Sequence, residues 1–174
     1  MADEKPTFDD DMRNDVYRFA HDLMTDVVKR SGKYVPFIKV PDPGTFLFTE
    51  ARRIIVRKFL EKEGAYIEGL VEAYAQNFRP LNYFDMNYLE NRDKIVAKFR
   101  PEPYSEEGFL KLCAALAHTA ACILLRNENC TATVHAMNDV HRLMKAVLSR
   151  GTLQCSSLPG NIAALLTPKD VNYQ

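Results

Sequence analysis

His118 and Cys122 stand four residues apart, a spacing that places both on one face of a helix. In that position an imidazole and a thiol can act as two metal ligands, or as a nucleophile beside its base. A zinc site needs a third and a fourth ligand, and the sequence nominates neither. A nucleophile needs access, yet both residues fall in the most apolar stretch of the chain, so the pair reads as packed core. His135 and His141 differ by six residues, which puts them on different helix faces and reads as surface. The run Asp9-Asp10-Asp11 lacks the glycine and the following glutamate of a calcium loop and reads as a solvated helix cap. No GxxxxGK, GxGxxG or GxSxG motif occurs. No enzyme, metal or cofactor is therefore expected.

The element carrying His118 and Cys122 is the run from Phe109 to Leu125, whose only strongly polar members are Lys111 and His118. A helix apolar on nearly every side is either a membrane span or the rod at the centre of a bundle. A bilayer needs about 20 apolar residues, and Lys111 lies one turn into the run. The expected element is the central helix of an all-α bundle, over about residues 106–126.

Composition agrees with one ordinary domain spanning residues 1–174. The chain has 174 residues, 47% of them hydrophobic, enough to bury a core. Its 23 basic and 23 acidic residues balance, so the whole molecule has no electrostatic bias toward nucleic acid or anionic membrane. The start, Met1-Ala-Asp-Glu-Lys, lacks the basic, apolar and small-residue order of a secretory signal, and a cytoplasmic location is expected. Cys113, Cys122, Cys130 and Cys155 then read as reduced thiols, without CxxC spacing, and the sequon Asn129-Cys130-Thr131 as idle.

Along the chain, Asp10 or Asp11 can cap a helix through Met12, Val16, Phe19, Leu23 and Val27, with Ser31-Gly32 as its stop. Residues 33–48, rich in proline and aromatics, read as an ordered loop. Thr49 caps a helix that Gly64 is expected to break into two, the second carrying Tyr66, Ile67, Leu70, Val71 and Tyr74. A further helix is expected from about Asp85 to Phe99, with Met86, Leu89, Ile95, Val96 and Phe99 inward. Ser105 caps the central helix, and Glu106 and Glu107 suit the positive end of its dipole. Thr131 or Thr133 opens the next helix, with Val134, Met137, Val140, Met144, Val147 and Leu148 as its apolar face. Residues 158–166 can make one short helix.

Two features could bind a partner. Arg52, Arg53, Arg57 and Lys58 crowd one helix face and Arg92, Lys94, Lys98 and Arg100 another, but Glu50, Glu61, Glu63, Glu90 and Asp93 are interspersed, so they read as solvated faces. The apolar stripes of Tyr66, Ile67, Leu70, Val71 and Tyr74 and of Ile95, Val96 and Phe99 offer more surface than one central helix can cover. They either complete the core or leave a groove.

Residues 94–99, Lys-Ile-Val-Ala-Lys-Phe, a short turn, and then Glu107-Gly108-Phe109-Leu110 resemble the segment leading into the central helix of the Bcl-2 family of apoptosis regulators. Arg52-Arg53 followed by Ala65-Tyr66-Ile67-Glu68-Gly69-Leu70-Val71 resembles that family's second and third helices. Asp15-Val16-Tyr17-Arg18-Phe19 has a counterpart in its first helix, and residues 133–150 in the helix after the central one. The family's Asn-Trp-Gly-Arg signature is here Glu106-Glu107-Gly108-Phe109, matching only at the glycine. The chain has no tryptophan, and no C-terminal membrane anchor is expected. This pattern is similar to that of divergent viral inhibitors of cell death.

The resemblance implies a bundle with a surface groove that sequesters the helical death motif (BH3) of host pro-apoptotic proteins. It implies a groove formed by Phe59, Tyr66, Ile67, Leu70, Val71, Tyr74, Ile95, Val96, Phe99, Arg100, Gly108 and Phe109. Gly108 would allow close approach of the ligand, and Lys98, Arg100 or Lys111 would replace the signature arginine. A homodimer is left open, and no nucleic acid is expected. The alternative is a helical protein that coats nucleic acid or assembles into a scaffold.

Overall fold

The computed structural model describes residues 8–31, 48–77, 83–127 and 130–149. They form five helices: α1 (Phe8–Arg30), α2 (Glu50–Asn77), α3 (Tyr83–Phe99), α4 (Glu106–Asn127) and α5 (Thr131–Ser149). No strand occurs among the described residues. The expected loop over 33–47 and the short helix over 158–166 lie outside them.

α4 is the central rod and packs against each of the other four helices. From Phe109 to Leu124 every residue is buried except Lys111 and His118, the two polar members of the run. Ala114, Ala115, Ala117, Ala120 and Ala121 keep the rod thin, while Leu110, Leu112, Leu116 and Ile123 supply volume. Fully burying one such large side chain contributes about 1.5–3 kcal/mol. By length and composition Glu106–Arg126 could cross a bilayer, at mean hydropathy 1.8, so the expectation that the run is too short is corrected. With 78% of that window buried, the bundle itself accounts for the apolar character.

The caps of α4 and α2 fall as expected. Gly108 N–H donates to Ser105 Oγ at 3.0 Å, and Arg52 N–H to Thr49 Oγ1 at 3.4 Å. α1 buries Val16, Phe19, Leu23 and Val27. Phe48 locks onto it, its ring edge-on to Phe19 at 5.7 Å. The helix already begins at Phe8, which places Asp10 and Asp11 in its first turn instead of at the cap.

Three further expectations are corrected. α2 runs unbroken through Gly64, where a Cβ would stand 3.4 Å from His118 Nε2. The glycine marks a close approach to α4, and tertiary packing outweighs its helix-propensity cost of about 1 kcal/mol. On α3 the buried positions are Asn87, Tyr88, Asn91, Arg92 and Ile95, whereas Met86 is 41% exposed. On α5 Val134 is exposed, while Met137, Val140, Met144 and Val147 are buried as expected.

The polar stripe of α3 is tolerated in the interior because most of its groups are paired, Asn91 Oδ1 being an exception. Asn87 and Asn91 donate from Nδ2 to the carbonyls of Val71 and Leu70 on α2, at 3.3 and 3.4 Å. Tyr88 donates its hydroxyl proton to Asp139 of α5 at 2.9 Å. His135, expected at the surface, is half-buried and stacked on the Tyr88 ring.

Candidate functional site

The residues expected to line a groove converge on the seam between α2 and α3, but most of them close it. Ile67, Val71, Ile95 and Phe109 belong to the core, and Phe59 and Tyr74 are also buried. Leu70, Val96, Phe99 and Arg100 are half-buried, and Tyr66 is 41% exposed. Phe99 meets Phe59 edge-on at 5.1 Å and Tyr66 at 6.3 Å. Lys98 Nζ sits 3.4 Å above the Tyr66 ring and 3.8 Å from Glu63. The two apolar stripes therefore complete the core and leave an aromatic, cation-capped edge at the surface.

One expected role is corrected here, that of Gly108. Above Gly108 the space is taken: a Cβ would lie 2.9 Å from Pro101 Cβ and 2.9 Å from Ser105 Oγ. The glycine serves the turn into α4, not a ligand's approach. Phe109, at the position where the resemblance would put an arginine, is fully buried. The three cations considered as its replacement each engage a carboxylate of this chain: Lys98 with Glu63, Arg100 with Glu102 at 3.3 Å, and Lys111 with Glu107 at 2.8 Å. The Lys111 hydrogen bond and charge hold the Glu107 carboxyl below its usual range.

Part of each basic face is similarly engaged. Arg52 Nε donates to Glu106 Oε1 at 2.7 Å, and Arg53 Nη1 to Asp26 Oδ1 at 2.6 Å, with its guanidinium over Phe48. Arg92, expected on a solvated face, is buried against Asp139.

The cleft of interest lies on the other flank of α2, between α1, α2 and α4, with a volume of about 490 Å³. Val27, Leu60, Val71 and Leu125 give it apolar walls, and the Glu72–Arg126 pair stands at its rim. It opens on the line of α4 that reaches solvent, where His118 and Leu125 are spaced by seven residues. At its floor His118, Cys122 and Glu68 of α2 come together, with one donor atom from each lying within 4.8 Å of the others. His118 Nε2 faces Glu68 Oε1 at 3.4 Å, an ion-pair contact short of a well-formed hydrogen bond.

Burial sets the protonation of His118 and Cys122. Desolvation lowers the His118 pKa, against the opposing pull of the Glu68 charge, so the imidazole is kept neutral. The Cys122 thiol is pushed up to about 12, first by burial and then by the Glu68 charge. At neutral pH it is a protonated, buried thiol, without the activation a cysteine nucleophile requires. The sequence shows the His118 and Cys122 pairing by spacing alone. It does not show Glu68, because only the register of α2 on α4 brings that carboxylate across.

No protein-family model, curated protein or solved structure matches the chain.

Proposed function

We propose that the protein is a non-catalytic helix-capturing regulator, which inhibits cell death by sequestering the amphipathic death motif of pro-apoptotic Bcl-2 proteins at the α2–α3 seam. The observation that carries the reading is the aromatic edge of Phe59, Tyr66 and Phe99, partly open to solvent beside a bundle built on a central apolar helix. The helix order of the family that the sequence resembles supports it. Apolar residues at i, i+3, i+4 and i+7 of the ligand pack on Tyr66 and Phe99, and an acidic ligand residue meets Lys98. Reaching Leu70 and Val96 requires α3 to draw away from α2. That exchanges the Asn87 and Asn91 hydrogen bonds, which are long at 3.3 and 3.4 Å, for ligand contacts.

The test is calorimetric titration with a panel of death-motif peptides, each paired with a version whose key leucine is replaced. Sub-micromolar binding to at least one peptide is expected, lost with the leucine and weakened about tenfold or more by Tyr66→Ala. Tyr66 is exposed enough for that variant to fold, whereas substitutions at buried Val71 would report on folding instead. Absence of binding across the panel, or binding indifferent to the leucine, overturns the proposal.

A further inference from the structure

We infer that Glu68, His118 and Cys122 form a zinc site that clamps α2 to α4 at the floor of the cleft, with a water from the cleft as fourth ligand. The inference is independent of helix capture, since the site lies on the flank of α2 away from α3.

The donor set is the first argument. Imidazole, thiolate and carboxylate together suit a borderline-soft divalent cation of tetrahedral preference, and three protein ligands with one open position form a familiar zinc arrangement. Two donors come from one helix turn, at i and i+4, and the third from a packed neighbour. All three lie within 4.8 Å of one another. Zinc bonds of about 2.0–2.3 Å place tetrahedral donors about 3.5 Å apart, so side-chain adjustment without backbone movement can close the site. His118 Nε2 and Glu68 Oε1 are already at 3.4 Å.

The surroundings are the second argument. His118 Nε2 is buried and has no well-formed hydrogen bond, its polar contact being the 3.4 Å approach to Glu68 Oε1, so its desolvation is only partly compensated. A metal bond would satisfy it. Gly64 keeps α2 close to the site, a Cβ there standing 3.4 Å from Nε2, already at van der Waals contact. Charge also balances: one thiolate and one carboxylate neutralise the dication, which lowers the cost of holding it in a half-buried place. As the metal–sulfur bond forms, the S–H bond breaks and its proton leaves to solvent through the cleft, so binding releases one proton per metal from Cys122.

The experiment is titration of the reduced, chelator-treated full chain with cobalt(II) as the spectroscopic stand-in, followed by zinc. The expected result is a thiolate-to-cobalt charge-transfer band that saturates at one equivalent, accompanied by intense tetrahedral d–d absorption and abolished by added zinc. Cys122→Ala should remove the charge-transfer band, and Cys130→Ser should leave it. Glu68→Gln, at an exposed side chain whose replacement does not threaten folding, should weaken cobalt binding about tenfold or more. No band in the native chain, a band that survives Cys122→Ala, or affinity unchanged by Glu68→Gln would each overturn the assignment.

Discussion

Arg92 of α3 and Asp139 of α5 form an ion pair, Nη1 to Oδ2 at 3.5 Å, in which each side chain is only 7% exposed. The same carboxylate accepts the Tyr88 hydroxyl proton and a hydrogen bond from Arg142, so one acidic side chain ties the polar stripe of α3 to α5. Buried pairs of this kind add little net stability relative to an apolar replacement, but removing one partner strands the other charge.

Asp139→Ala should therefore cost about 3–5 kcal/mol of unfolding free energy. The triple change Arg92→Met, Asp139→Leu and Tyr88→Phe, which removes the buried members of the set and leaves the half-exposed Arg142 to solvent, should cost clearly less than that single change. Urea unfolding followed by circular dichroism checks both. A triple variant less stable than Asp139→Ala would mean that the network contributes strongly in its own right.

The three described glycines separate by what surrounds them. Nothing lies within 4 Å of a Cβ built at Gly69, so Gly69→Ala should stabilise α2 by about 0.5–1 kcal/mol through helix propensity alone. At Gly108 a Cβ meets Pro101 and Ser105 at 2.9 Å, and Gly108→Ala should cost about 1–3 kcal/mol. Gly64→Val should also destabilise, because its branches press on the His118 ring. Denaturation midpoints for the three variants give the order directly, and equal shifts at Gly69 and Gly108 would contradict it.

Legibility in the sequence followed the strength of the local signal. The central helix was plain because seventeen residues held only Lys111 and His118 as strong exceptions, and those are the two positions between Phe109 and Leu124 that are not buried. Ser105 and Thr49 were legible because a cap is a local hydrogen bond. Asn87, Asn91 and Arg92 were not, since hydropathy patterns cannot show that a polar side chain finds its partner on another helix. Gly64 reads as a break for the same reason, because the α4 residue it packs against, His118, lies 54 residues away in sequence. Glu68 is an exposed acid on α2 until the register of α2 against α4 sets it beside the His118 and Cys122 pair.

Cys113 predicts how stability depends on alkaline pH. It is fully buried, and desolvation raises its pKa far above the ordinary thiol value of 9.0. Burial also raises the Tyr104 hydroxyl above its usual range, with Glu106 adding to it. Above the ordinary thiol value the unfolded chain gives up the Cys113 proton while the folded chain retains it. The unfolded state then binds fewer protons, and unfolding free energy falls as pH rises, by up to about 1.4 kcal/mol per pH unit for this one thiol. The contribution is fully present below the unfolded value and is lost toward the folded one. Unfolding midpoints measured across this range should fall steeply for the native chain. Cys113→Ala should start lower at neutral pH, because it leaves a small cavity, and then decline less steeply. Parallel alkaline slopes for the two proteins would show that other groups govern the transition. Thiol-reagent labelling supplies an independent check, since modification of Cys113 should proceed no faster than the opening of the bundle around α4.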